Sequence, residues 1–288
     1  MSEIVYLNGS FVPYDHATVS VEDRGMLFAD GIYEVVRAYD GRFFLLDDHL
    51  ERMRISATEI RLKLPPVSEL RHAMEGVLER SPHRNASVYI GVTRGFAGPR
   101  SHTLPVDVPP TVFAAARPTP VPDAASFQNG APAITVPDRR WHMCHVKSIG
   151  LLLNTLAKQA AIEAGAQEAL FVRDGVLTEG SATNAFAVIG GEVFTHPEGP
   201  HILSGITRQV VLEICRRDGI PVREQRVPLP QLYTADEVFV TGTNSEVLPV
   251  VTIDGKTIGT GRPGPIATRL LDGLRRYVAA SASESSAV

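Results

Sequence analysis

At 288 residues and 31.2 kDa the chain is too long for a mini-scaffold and long enough for one large domain or two packed ones. Apolar residues at 44% and charged residues at 21% exclude a disordered or collagen-like chain, and a net charge of −4 without a basic block argues against a nucleic-acid or anionic-membrane partner. Only Cys144 and Cys215 are present, no apolar leader opens the sequence, and no run reaches the ~20 apolar residues of a membrane helix, so a soluble cytoplasmic protein is expected.

Along the chain, Ile4 to Leu7, Asn8-Gly9 and Ser10 to Pro13 predict a hairpin with Asn-Gly at its turn. The run Gly31 to Tyr39, Asp40-Gly41, Arg42 to Leu46 repeats that pattern after the polar loop Val19 to Gly25. Asp47 and Asp48 stand where a helix N-cap belongs, ahead of His49 to Ile60 with apolar residues at helical spacing. A second helix fits Val67 to Arg80, and strands fit Ala86 to Arg94 and Thr111 to Arg117 around a long loop. The stretch from Arg117 to Gly130 is rich in proline and small residues and reads as a linker. Beyond it come a strand from Ala131 to Val136, an irregular stretch from Trp141 to Gly150, and a helix from Leu151 to Ala164 closed by Gly165. Strands at Ala169 to Arg173, Ala185 to Ile189 and Glu237 to Thr241, with helices at Arg208 to Asp218 and about Ile266 to Val278, complete the pattern. The expected architecture is α+β: an N-terminal domain over 1–117, a linker over 118–130, a larger domain over 131–280 and a disordered tail over 281–288.

The 28 cations include only four lysines, at 63, 147, 158 and 256, so amine chemistry has four candidate positions. Lys147 lies among Trp141, Met143, Val146 and Ile149, an apolar setting that favours the neutral, nucleophilic amine. A lysine snorkelling from a strand edge is the plainer alternative. A metal site built from His142, Cys144 and His145 fails because neighbouring side chains on an extended segment point apart and no second ligand pair follows. Glu179 sits inside a polar, small-residue segment, Thr178 to Asn184, where a carboxylate serves a cationic ring nitrogen or simply faces solvent. Gly205-Ile206-Thr207 leads into a helix whose first amides favour an anion, although Thr207 is equally a routine N-cap. Thr241 to Ser245 forms another glycine and hydroxyl turn suited to phosphate oxygens. Arg100 and His102, two apart in a loop, could converge on one carboxylate or lie solvated at the surface.

An amine, a ring-nitrogen carboxylate and two phosphate-type turns are together what pyridoxal 5'-phosphate requires. The motifs Val19-Ser-Val-Glu-Asp-Arg-Gly25, Asp30-Gly-Ile-Tyr-Glu34, His49-Leu-Glu-Arg52, Val146-Lys-Ser148, Thr178-Glu-Gly-Ser-Ala-Thr-Asn184 and Gly205-Ile-Thr-Arg208, in this order, resemble the fold-type-IV aminotransferases. Within that family the resemblance is greatest to the D-amino-acid transaminases, and it covers nearly the whole chain. It implies the two-domain fold of the type, a ping-pong transfer from a D-amino acid such as D-alanine to a 2-oxo acid such as 2-oxoglutarate, and Lys147 as the Schiff-base lysine. It further implies Glu179 at the pyridinium nitrogen, Arg52, Ile206, Thr207 and Thr243 around the phosphate, and Arg100, His102 and Tyr33 as a substrate-carboxylate trap. In that family the trap loop comes from the neighbouring subunit, so a homodimer with active sites at the interface is implied. Arg37 looks more like the branched-chain group, and Gly242 and Asn244 replace hydroxyl residues of the pattern. Branched-chain L-aminotransferase, (R)-selective amine transaminase and aminodeoxychorismate lyase activities therefore stand as alternatives on the same fold.

Overall fold

The computed structural model describes residues 3–119 and 124–284. They fall into two compact units, 3–119 with 146–150 and 124–145 with 151–284. The strip 146–150, expected within the second domain, thus belongs to the first unit. Of the expected linker, residues 120–123 lie outside the described residues and 124–129 are helical. Of the expected tail, 281–284 continue the last helix, as their alanine and serine content permits, and 285–288 lie outside the described residues.

The first unit contains β1 (Ile4–Leu7), β2 (Ser10–Pro13), α1 (Arg24–Phe28), β3 (Gly31–Tyr39), β4 (Arg42–Phe43), α2 (Leu46–Glu59), α3 (Val67–Glu79), β5 (Ala86–Thr93) and β6 (Thr111–Pro118). Its strands form one antiparallel sheet in the order β2-β1-β6-β5-β3-β4. At the first turn Asn8 and Gly9 both take positive φ, as a tight hairpin of this length requires. Helices α2 and α3 cover the sheet with Leu50, Met53 and Ala57 on one and Leu70, Met74 and Val77 on the other, all buried. Gly76 lies under the Phe11 ring, where a Cβ would come within 2.1 Å of the ring edge, so the packing fixes glycine despite its helical cost of ~1 kcal/mol.

Helix α2 starts earlier than expected, at Leu46, and neither Asp47 nor Asp48 caps it. Only two residues separate it from β4, and the chain turns through Leu45 in the left-handed region. Both aspartates instead lie in the first turn, where they favour the helix dipole.

Strand β4 pairs only with Ala38 and Tyr39, which leaves the other end of that β3 edge open. The strip 146–150 takes it: Tyr33 N donates to Lys147 O, Ile149 N donates to Gly31 O, and Ile32 bridges Ser148. Gly31 permits this close approach, since a Cβ there would stand 2.8 Å from Val92 O and 3.0 Å from Ile149 Cδ1.

The second unit contains α4 (Ala124–Asn129), β7 (Ala131–Pro137), α5 (Leu152–Glu163), β8 (Glu168–Arg173), β9 (Val176–Gly180), β10 (Asn184–Ile189) and β11 (Glu192–Thr195). It continues with α6 (Ile206–Arg217), β12 (Val222–Glu224), β13 (Val227–Pro228), α7 (Leu229–Tyr233), β14 (Glu237–Gly242), β15 (Glu246–Ile253), β16 (Lys256–Thr257) and α8 (Pro265–Glu284). The mixed sheet runs β12-β11-β10-β14-β15-β7-β8-β9-β13, and Glu179 of β9 pairs with Asn184 of β10. That pairing closes six strands into a barrel, with Glu179 at the seam. Ala185, Ala187, Val238, Val240, Leu248 and Val250 share one face and one apolar cluster, while Phe186 and Phe239 stack at 4.8 Å on the opposite face. Among the described residues no helix is long and apolar enough to cross a membrane.

Candidate active site

Lys147 is held at both backbone groups, its carbonyl by Tyr33 N at 3.0 Å and its amide on Ser56 Oγ at 3.2 Å. Its Nζ stands 4.3 Å over the Tyr33 ring, which stacks in turn on Tyr89. The other three lysines are exposed, Lys63 with 84% of its side chain in solvent. Lys147 alone is partly withdrawn and positioned. The segment that carries it turns rather than running extended, and Trp141 is 45% exposed.

Arg52, on α2, is engaged by Glu34 of β3 in a two-point fork, Nε to Oε1 at 2.8 Å and Nη2 to Oε2 at 2.7 Å. His49, one turn earlier, donates from Nδ1 to Glu34 Oε2 at 2.7 Å. Burial alone would raise the Glu34 carboxyl, but Arg52 and His49 together hold it down at about 2. His49 is lowered as well: burial outweighs the pull of Glu34, and the charges of Arg52 and Lys147 add to the effect. Glu34 and His49 brace Arg52 and carried no assigned role in the sequence. Their signal was membership in the same motifs as Tyr33 and Arg52.

In the second unit Glu179 is buried at the barrel seam. Arg140 Nη1 donates to its Oε1 at 2.5 Å, Leu203 N to its Oε2 at 2.9 Å, and Asn184 Nδ2 to the same oxygen at 3.2 Å. Burial pushes this carboxyl up to about 7 against the pull of Arg140. Arg140 is itself forked by Asp138, which it and Arg173 hold at about 2 in spite of burial. A surface role for Glu179 is thereby excluded. A carboxyl poised this way gains most from a cation placed against it. Sequence reasoning missed Arg140, which lies 39 residues from its partner.

Helix α6 begins at Ile206 with Gly205 as N-cap and no side-chain cap, so Thr207 lies inside the first turn rather than capping it. The first-turn amides are therefore available to an anion. A Cβ at Gly205 would stand 2.1 Å from Asn184 Oδ1, so glycine is required there, and Asn184 links the helix start to Glu179. Nearby in the fold, on the strand paired with Asn184, the buried Thr241 Oγ1 has no hydrogen-bond partner among the described residues. Thr243 lies past the end of β14. A phosphate group suits this donor set of helix amides and an unsatisfied hydroxyl, and a pyridinium suits Glu179, so the residues fit pyridoxal phosphate. Arg208, the motif's last residue, is fully buried and donates to Glu224 and to His196 O, tying α6 to β12.

Arg100 and His102 both rest on Phe28: the guanidinium carbon lies 4.8 Å and the imidazole 5.3 Å from the ring centroid. The structure thus brings these two together on one aromatic platform. Tyr33, expected with them, is engaged by Lys147 and Tyr89 instead.

The model of the amino-transferase class IV family matches residues 31–253. The D-alanine aminotransferase of Staphylococcus haemolyticus is 42% identical over 281 residues, 97% of this chain and 99% of that protein. That of Bacillus licheniformis is 41% identical over 275 residues, 95% of this chain and 96% of that protein. Among solved structures, the branched-chain aminotransferase of Thermoproteus uzoniensis with norvaline superposes with a TM-score of 0.85 at 31% identity, covering 96% of this chain and 95% of that one. The Escherichia coli branched-chain enzyme gives 0.87 at 28% identity, covering 94% of this chain and 92% of that one. A fixed amine, a buried carboxyl paired with arginine and an uncapped helix start on this α+β scaffold agree with those likenesses, and the chain belongs to the class IV aminotransferases.

Proposed function

We propose that this aminotransferase uses pyridoxal 5'-phosphate to move the amino group of a D-amino acid, such as D-alanine, to a 2-oxo acid, such as 2-oxoglutarate, in two half-reactions. When bound, the cofactor supplies an aldehyde carbon and a ring that accepts electrons from the substrate Cα. Lys147 would hold the cofactor's aldehyde carbon through its amine, and its Nζ would take the proton that leaves the substrate Cα. Glu179 would accept the ring nitrogen's hydrogen bond, with Arg140 opposing the burial that favours the neutral carboxyl. Arg52, with its fork fixed by Glu34, and the amides of Ile206 and Thr207 with the Thr243 hydroxyl hold the phosphate. Across the proposed dimer, Arg100 and His102 of one subunit would join Tyr33 of the other in orienting the substrate carboxylate.

The observation that carries this proposal is Lys147, the one lysine of the four that is not exposed, anchored at both backbone groups with its amine over an aromatic ring. The D-amino-acid assignment is supported by the end-to-end likeness to curated D-alanine aminotransferases and by the Arg100/His102 platform. A homodimer of the cytoplasm is part of the proposal. It is supported by the apolar strip on α5, where Leu152 is 70%, Leu156 56% and Ile162 57% exposed.

Borohydride reduction after incubation with pyridoxal phosphate should fix the cofactor on Lys147 in the peptide map, and D-alanine with 2-oxoglutarate should yield pyruvate and glutamate. Absence of the adduct in wild type, or its survival in Lys147→Ala, would refute the assignment. The branched-chain alternative is favoured by Arg37, buried over Tyr39 at 4.3 Å, and by the branched-chain neighbours in structure. Turnover of L-leucine in place of D-alanine would select it.

A further inference from the structure

We propose that Arg24 is a positioning residue for the substrate: with Asp23 it holds the 95–110 loop so that Arg100 and His102 present one carboxylate-binding face. This rests on the proposal that those two residues bind the substrate carboxylate.

The loop leaves β5 at Thr93 and enters β6 at Thr111. Asp23, 2% exposed, clamps both stems: its Oδ2 accepts from Thr93 Oγ1 at 3.0 Å and from Thr111 Oγ1 at 2.7 Å. Its Oδ1 accepts from Gly25 N at 2.7 Å, which starts α1. At the base the Arg24 amide donates to Gly95 O at 3.0 Å, and a Cβ on Gly95 would meet Pro109 O at 2.1 Å, so the stems close tightly.

The Arg24 side chain then reaches the tip. Its Nη1 donates to Ser101 O at 2.7 Å and Thr103 O at 3.3 Å, the carbonyls on either side of His102. Its Nε donates to Asp30 at 2.8 Å, and Asp30 is fixed by the two-point grip of Arg94. The guanidinium also lies 4.7 Å over Phe28, the ring on which Arg100 and His102 rest. Arg24 is 6% exposed, so these contacts are shielded from competing water. Two loop carbonyls, one carboxylate and one ring face are therefore read by a single planar fork. A lysine ammonium could not meet all four at once.

The holoenzyme tests this with D-alanine as donor. Arg24→Gln should raise KM for D-alanine and for the 2-oxo acid about tenfold with kcat changed by less than about threefold. In an R100A/H102A background the same substitution should add nothing further. In the cofactor-free chain, hydrogen exchange should accelerate in a peptide spanning 98–104 and stay unchanged in β3 and β5. R24K, which keeps the charge and loses the fork, should show the same pattern at smaller size and replaces R24Q if that variant does not fold. An unchanged KM, a full effect persisting without Arg100 and His102, or unaltered exchange at 98–104 would overturn the proposal. Failure of the underlying functional reading is seen separately, as wild-type protein that does not turn over D-alanine or R100A with unaltered KM.

Discussion

Replacing Glu34 by glutamine removes the carboxylate that organises Arg52 and His49, and the effect has a calculable pH signature. The carboxyl ionises at about 2 in the fold against 4.5 ordinarily. That difference corresponds to about 3 kcal/mol of stability at neutral pH, at ~1.4 kcal/mol per pH unit. Because the folded value is the lower one, this stabilisation is present above pH 4.5 and is lost as pH falls toward 2. Between about pH 7 and about pH 3.5 the wild type should lose about 1 kcal/mol relative to E34Q. Urea unfolding of the cofactor-free proteins at several pH values, followed by far-UV circular dichroism, measures it, with equal slopes confirming that only stability has changed. E34Q should be the less stable at neutral pH, since it leaves a guanidinium that is only 11% exposed without its carboxylate. Stability curves that run parallel across that range would show that Glu34 is not held as a low-ionising carboxylate and would remove the anchoring account of Arg52.

Glu179 should behave oppositely: its folded value of about 7 lies above the ordinary 4.5, so its contribution is present below pH 4.5 and lost as pH rises through about 7. Cofactor-free wild type should therefore lose about 3 kcal/mol relative to E179Q across that window, and a pH-independent difference would contradict it. Gly25→Ala places a Cβ 2.4 Å from Thr93 Cγ2 and should destabilise the first unit by about 1–3 kcal/mol in thermal unfolding; a neutral result would show that the α1 junction can relax. Gly205→Ala should displace Asn184 and weaken pyridoxal phosphate binding at least about tenfold in a dialysis titration, and unchanged affinity would detach that helix start from the phosphate.

Local periodicity gave the strands and the two long helices of the first unit, because turn dipeptides such as Asn8-Gly9 and the apolar spacing of α2 and α3 act over a few residues. It misplaced the start of α2, since a left-handed Leu45 is chosen by the short tether to β4 and not by any capping side chain. Helix α4 was hidden in a proline-rich stretch, and β15 was not expected because Pro249 falls in the middle of its run, where proline argues against a strand. Lys147 stood out in the sequence as one of only four lysines, and Glu179 as a carboxylate inside a polar, small-residue segment. Arg140, Glu34 and Arg24 did not, since each owes its importance to a partner reached through the fold, 77 residues away for Arg24 and Ser101. An arginine in sequence is an ordinary surface cation until burial and a fork of acceptors give it a task.

The strip 146–150 lends its backbone to a sheet whose other strands are complete before residue 119. Severing the chain once, at the proline-rich joint, would consequently yield no self-sufficient half. An N-terminal fragment would expose the bare rim of β3 and lack Lys147, and a C-terminal fragment would carry that lysine on an unsupported loop. Insertions and permutations of this chain must therefore spare the junctions on either side of 146–150 as well as the proline-rich joint.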